Sequence, residues 1–101
     1  MAFLSKQFVV LTRMKAKGGM EEKLGQELVS LVAPSQSEDG CVDFNVHQSI
    51  DDKGLFMLYS TWDSREGRDK YIEKDYYRAF AKKTGILLDG PPEVTFWEKT
   101  I

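Results

Sequence analysis

The chain has 101 residues with 42% hydrophobic and 30% charged side chains, and its 14 Lys and Arg against 16 Asp and Glu leave a net charge of −2. That length predicts one domain over residues 1–101, of ordinary globular composition, with no basic excess to suggest nucleic acid or an anionic membrane as a partner. A single cysteine, Cys41, excludes an intrachain disulfide, and beside a single histidine, His47, it makes no metal-ligand set by itself.

Gln7–Lys15 (QFVVLTRMK) predicts the first strand. Phe8, Val10, Thr12 and Met14 fall on one face, Val9, Leu11 and Arg13 on the other, and both faces are largely apolar near the start. Lys17-Gly18-Gly19 breaks it. Met20–Ala33 then repeats Met20, Leu24, Leu28, Leu31 and Val32 at helical spacing. Glu21 and Glu22 sit in the first turn, where the helix dipole favours negative charge, and Pro34 is expected to end the helix. Ser35–Gly40 is a polar loop. Cys41–Ser49 alternates, with Val42, Phe44 and Val46 expected on one side and Cys41, Asp43, Asn45 and His47 on the other. Ile50–Gly54 is a turn, so this strand should pair antiparallel with Leu55–Asp63, LFMLYSTWD. The latter run alternates only weakly, as a strand covered on both faces does.

Asp63 or Ser64 should cap a helix through about Glu73, with Asp63 and Glu66 at capping-box spacing. Asp75 starts a second helical piece, Tyr76–Thr84, with Gly85 as its C-cap. Ile86-Leu87-Leu88 reads as a buried link, Asp89-Gly90-Pro91-Pro92 as a rigid turn, and Val94–Lys99 as the last strand. No apolar run approaches the roughly 20 residues of a membrane-spanning helix. No long apolar stretch follows Lys6 as in an export signal, so the cytoplasm is the expected compartment.

Strand, helix, strand, strand, helix, strand is the ferredoxin-like α+β plan: a four-stranded antiparallel sheet with its helices on one face. The other face carries apolar residues from the first, third and last strands. A patch of that size normally marks an interface, which predicts an obligate homodimer.

Lys17-Gly18-Gly19 with Glu21-Glu22, Leu31-Val32-Ala33-Pro34, Glu38-Asp39-Gly40-Cys41, His47 and Asp51-Asp52 recur in order with Tyr59-Ser60-Thr61-Trp62, Tyr76-Tyr77-Arg78-Ala79-Phe80 and Gly90-Pro91-Pro92-Glu93-Val94. Across about nine-tenths of the chain this series resembles the antibiotic biosynthesis monooxygenase family, small proteins that form dimeric α+β barrels. The resemblance implies that two sheets face each other. It also implies that a small aromatic or quinol-like substrate is oxidised with molecular oxygen and no metal, flavin or nicotinamide cofactor. Relatives in the family bind and degrade haem, or isomerise or degrade small signalling molecules, so fold carries over more safely than chemistry. The family often has histidine at the places of Tyr71 and Tyr76. A phenol is a poor base at neutral pH but a good donor to a carbonyl or developing oxyanion.

The expected catalytic residues are therefore Trp62, Asn45, His47 and Tyr76, with Tyr71, Phe80 and Phe44 binding substrate. Each has a plainer alternative. Trp62 can stack on a flat substrate and donate its N–H, or cap the core beneath the helices. Asn45 and His47 can face a cavity, or a solvated rim. Tyr71, Tyr76 and Tyr77 can wall a pocket with Phe80, or anchor the core. Arg13 is expected to pair with Asp43 or Glu98, or to bind an acidic substrate. Cys41 reads as a small buried hydrophobe and the four methionines as core filler. A dimer that binds a hydrophobic ligand without turning it over is the reading of different class.

Overall fold

A computed structural model describes residues 6–100. Its elements are β1 (Phe8–Lys15), α1 (Glu21–Gln36), β2 (Cys41–Gln48), β3 (Leu55–Trp62), α2 (Arg65–Tyr71), α3 (Asp75–Leu87) and β4 (Glu93–Glu98). The four strands form one antiparallel sheet in the order β2-β3-β1-β4, with the helices on one side, as the ferredoxin-like α+β plan requires.

Cross-strand register sorts the side chains between the two faces. Val10 stands opposite Ser60 and Phe96, and Ser60 opposite Phe44; these point toward the helices. The core lies on that side, where Leu24, Leu28 and Leu31 of α1 meet Val10, Met14, Phe44, Phe56, Leu58 and Trp62. Gly25 lets the helix close on the sheet, since a Cβ there would stand 3.3 Å from the Phe56 ring.

Four local expectations need correction. Pro34 does not end α1, which runs on to Gln36. The proline forgoes one hydrogen bond, but Ser35 continues the buried Leu24–Leu28–Leu31 stripe, and its hydroxyl lies 2.6 Å from that of Tyr71 inside the core. Of the two cap candidates it is Ser64, whose Oγ accepts from the Gly67 N–H at 3.1 Å, and there is no Asp63–Glu66 box; α2 stops at Tyr71, two residues short of the expected Glu73, before the separate helix α3 begins at Asp75. Gly85 lies inside α3. Leu87 and Leu88 are buried just beyond it, Ile86 is exposed, and the Lys17 N–H donates to the Leu87 carbonyl at 2.8 Å, so docking onto the end of β1 extends the helix. Finally, a bulge between Cys41 and Asp43 turns Val42 out to solvent and puts Cys41 opposite Trp62, on the core side. Gly40, with φ +83°, makes the turn into that bulge, and its carbonyl accepts from the Asp63 N–H at 2.8 Å.

The Ser35–Tyr71 bond joins α1 to α2 across the core, and that gives a test. Ser35→Ala leaves a buried phenol without this partner and should cost about 1–3 kcal/mol in urea unfolding. Adding Tyr71→Phe removes the orphaned hydroxyl, so the double variant should lose clearly less than the sum of the two single losses. Additive losses would contradict this picture of the core.

Candidate active site

On the face away from the helices the register arranges side chains in three rows of four. Asp43, Thr61, Val9 and Trp97 form one row, Asn45, Tyr59, Leu11 and Thr95 the next, and His47, Met57, Arg13 and Glu93 the third. The first two rows set Val9, Trp97, Tyr59 and Leu11 among the polar Asp43, Thr61, Asn45 and Thr95, and the third brings in the charges of Arg13 and Glu93. A concavity of about 470 Å³ lies over them, lined by Val9, Leu11, Tyr59, Thr61, Asp43 and Trp97 among others. Trp97 is 55% exposed, with its N–H donating to Thr95 Oγ1 at 2.9 Å. Asn45 is half-buried beside Tyr59, and His47 is exposed one row further on. Arg13 pairs with Glu93, its register partner, at 3.5 Å. It does not reach Asp43, which stands in a different row two strands away, nor Glu98, which points to the other face opposite Phe8.

The aromatic candidates gather on the helix side. Trp62 is fully buried, and its N–H donates to Ser60 Oγ at 3.0 Å. Tyr71 stands over it with ring centres 4.9 Å apart and touches Phe44, Tyr76 and Tyr77 at 5.9, 6.1 and 5.0 Å. Phe80 extends the cluster from Tyr77. The sheet therefore lies between Trp62, Tyr71, Phe44, Phe80 and Tyr76 on one side and Asn45 and His47 on the other. The single pocket expected to combine them is divided in two. Alternation along β2 is the physical reason: Phe44 and Asn45 are neighbours in sequence and must point oppositely.

The phenols on the helix side are held protonated. Burial pushes Tyr71 well above the usual tyrosine value, against the pull of the Ser35 hydroxyl. Burial also raises Tyr76, and its bond to Glu38, at 2.6 Å, raises it further because the carboxylate repels a phenolate. Tyr77 is raised by burial and partly offset by the Arg68 charge; the Cys41 thiol is likewise pushed up by burial. Such groups donate hydrogen bonds at neutral pH and take no proton. Among the described residues no three His, Cys, Asp or Glu side chains converge as a metal site, and no helix is long and apolar enough to cross a membrane.

Sequence reasoning missed Ser35 and Glu38, the polar partners of Tyr71 and Tyr76. Ser35 had a signal, since it lies four residues past Leu31 on the buried stripe; Glu38 had none, because its partner is 38 residues away. Tyr59 is a further one: three residues before Trp62 in β3, it faces the open side opposite Leu11 and Asn45.

Comparisons with known proteins fit this architecture. Residues 7–83 match the profile of the family described as antibiotic biosynthesis monooxygenase. A provisionally named monooxygenase of Mycobacterium tuberculosis, Rv0793, is 27% identical over 86 residues, covering 85% of this chain and 84% of that protein. Its solved structure superposes with a TM-score of 0.88 at 24% identity over 94% of this chain and 96% of that one. The crystal structure of PA3566 from Pseudomonas aeruginosa gives a TM-score of 0.92 at 24% identity, covering 99% of this chain and all of that one. An uncharacterised Synechocystis protein, sll1783, is 24% identical over 90 residues; the match takes in 89% of this chain and spans 61% of that protein's length. The structural likenesses, at these identities, show the fold alone.

The phenols supply a pH test. Unfolded tyrosine ionises near about pH 10, so above that value the unfolded chain sheds protons that the native Tyr71 and Tyr76 keep. The stability associated with these neutral phenols is fully present below about pH 10 and is lost as pH rises beyond it. Urea midpoints should therefore fall between about pH 9 and about pH 10.5, and Tyr71→Phe with Tyr76→Phe should flatten that fall. An unchanged slope in the double variant would contradict the assignment.

Proposed function

This chain belongs to the antibiotic biosynthesis monooxygenase family, and from that premise we propose that it is a cofactor-independent monooxygenase. It works as a homodimer on a small electron-rich aromatic or quinol-like substrate with molecular oxygen. The observation that supports this best is the uncovered sheet face with its concavity beside Trp97 and Tyr59. Strands about 4.8 Å apart and rising ~3.3 Å per residue make that face roughly 20 Å on a side. With side-chain relief it approaches the ~800 Å² per partner that stable interfaces bury. A second copy laid on it would close the concavity into a chamber from which water is excluded.

In such a chamber Trp97 and Tyr59 hold the ring and the Asn45 amide meets its oxygen. His47 takes the proton that leaves the substrate. Trp62, Tyr71, Phe44 and Phe80 support the sheet from behind, and Tyr76 stays a donor tied to Glu38. The deprotonated substrate gives one electron to oxygen, and the resulting radicals join as a carbon–oxygen bond. Protonation and loss of water from that peroxide leave a ring carbonyl. One oxygen atom ends in product and one in water, and the ring C–H and phenolic O–H bonds that the substrate loses supply all the electrons.

One observation favours a non-catalytic ligand-binding protein instead: the lining of the concavity includes neither Asn45 nor His47. Oxygen consumption separates the two. With a naphthol-type quinol and isotopically heavy oxygen gas, the monooxygenase reading expects one heavy atom per product molecule. His47→Gln should lower kcat by about 10²-fold with the melting temperature unchanged, because the side chain is exposed. Tight ligand binding with no oxygen uptake would establish the second reading in its place.

A further inference from the structure

Where β1 meets β4, at the margin of the helix-side face, the helices leave the sheet partly bare. Phe8 and Phe96 lie there with rings stacked, centres 5.6 Å apart and planes at 19°. Phe96 stays 46% exposed although it points to the helix side. Two arginines of α2 reach over this pair. The guanidinium carbon of Arg65 is 5.4 Å from the Phe8 ring centre and 5.1 Å from that of Phe96, and that of Arg68 is 5.4 Å from Phe96.

Among the described residues neither arginine has a carboxylate within 4.0 Å; the ion pairs at that distance use Lys6, Arg13, Lys15, Lys23, Lys74 and Lys83 as cations, never Arg65 or Arg68. Glu98, the strand carboxylate opposite Phe8, is held by Lys6 at 3.5 Å. Two like charges three residues apart on a helix repel. Cation–π contact satisfies only the flat faces of the guanidiniums; their N–H donors lie in the plane and remain available. An exposed aromatic beside two planar forks has a complementary ligand chemistry.

We propose that Arg65, Arg68, Phe8 and Phe96 form a binding site for a planar aromatic anion. Its ring lies along the exposed part of Phe96, and its carboxylate or sulfonate is shared between the two guanidiniums. The site is on the opposite side of the sheet from the concavity, so it stands whether or not turnover occurs there.

The test compares two fluorescent probes of like ring system, the anionic anilinonaphthalene sulfonate and the uncharged phenylnaphthylamine, on the intact protein. The sulfonate should bind the wild type more tightly than the neutral dye and weaken as NaCl rises from about 50 to about 500 mM. The double variant Arg65→Gln, Arg68→Gln should lose about tenfold or more in sulfonate affinity, while the neutral dye is unchanged. Arg68→Lys should lose most of it too, because charge without the planar fork is insufficient. Ile50→Lys, in the exposed turn between β2 and β3, should leave the sulfonate affinity alone. Equal sulfonate affinity in wild type and double variant, or equal losses for both dyes, would reduce the cluster to a surface cation–π contact and overturn the proposal. Salt-insensitive binding with no preference for the charged dye would overturn it on the wild type alone.

Discussion

Period-two alternation sends half of every strand's side chains to a face that the helices do not reach, and the rest of the molecule follows from how the two halves differ. Toward the helices go Val10, Met14, Phe44, Phe56, Leu58 and Trp62, which close into a core with α1 and the aromatic residues of α2 and α3. Away from them go Val9, Leu11, Met57, Tyr59 and Trp97, apolar enough to favour burial but left without a second layer. At about 25 cal/mol for each Å² of apolar surface removed from water, covering such a face contributes several kcal/mol. Part of that is offset by the cost of association.

The covered half is built around Tyr71. Its ring touches Trp62, Phe44, Tyr76 and Tyr77, and its hydroxyl meets Ser35. One side chain thus joins α2 to α1, α3, β2 and β3. Among the described residues no buried side-chain nitrogen or oxygen lacks a partner, consistent with a scaffold whose polar groups are satisfied internally. A scaffold of that kind leaves its opposite face free to carry chemistry, and groups standing on strands are better fixed than groups on loops.

The strand positions could largely be read from the chain, because apolar runs bounded by Gly, Pro and Asp fix where strands begin and alternation fixes which residues within a strand share a face. β3 was legible as a doubly apolar run for that reason. The register between strands, which decides which face is covered, could not be read. The misreadings have one physical source, which is that tertiary burial overrides local stop signals. Pro34 and Gly85 both signal a helix end, yet Ser35 beyond one and Leu87 beyond the other are pulled into the core, and the helices continue to reach them. The bulge at Val42 is a further case. Strict alternation would bury Val42, but the extra residue turns it outward and brings Cys41 against Trp62. The site was less legible than the fold. A preference for large aromatics drew attention to Trp62 and the helical tyrosines, while Tyr59 and Trp97 on the open face become conspicuous only once the register is known.

Everything proposed for function rests on the open face being covered by a second copy of the chain, and sedimentation equilibrium at low micromolar concentration tests that most directly. The account predicts a single species with twice the 11.6 kDa mass of the chain. A well-folded species of one chain's mass at that concentration would contradict it, because Trp97, Leu11 and Tyr59 would then be stable facing water and the closed chamber would not exist.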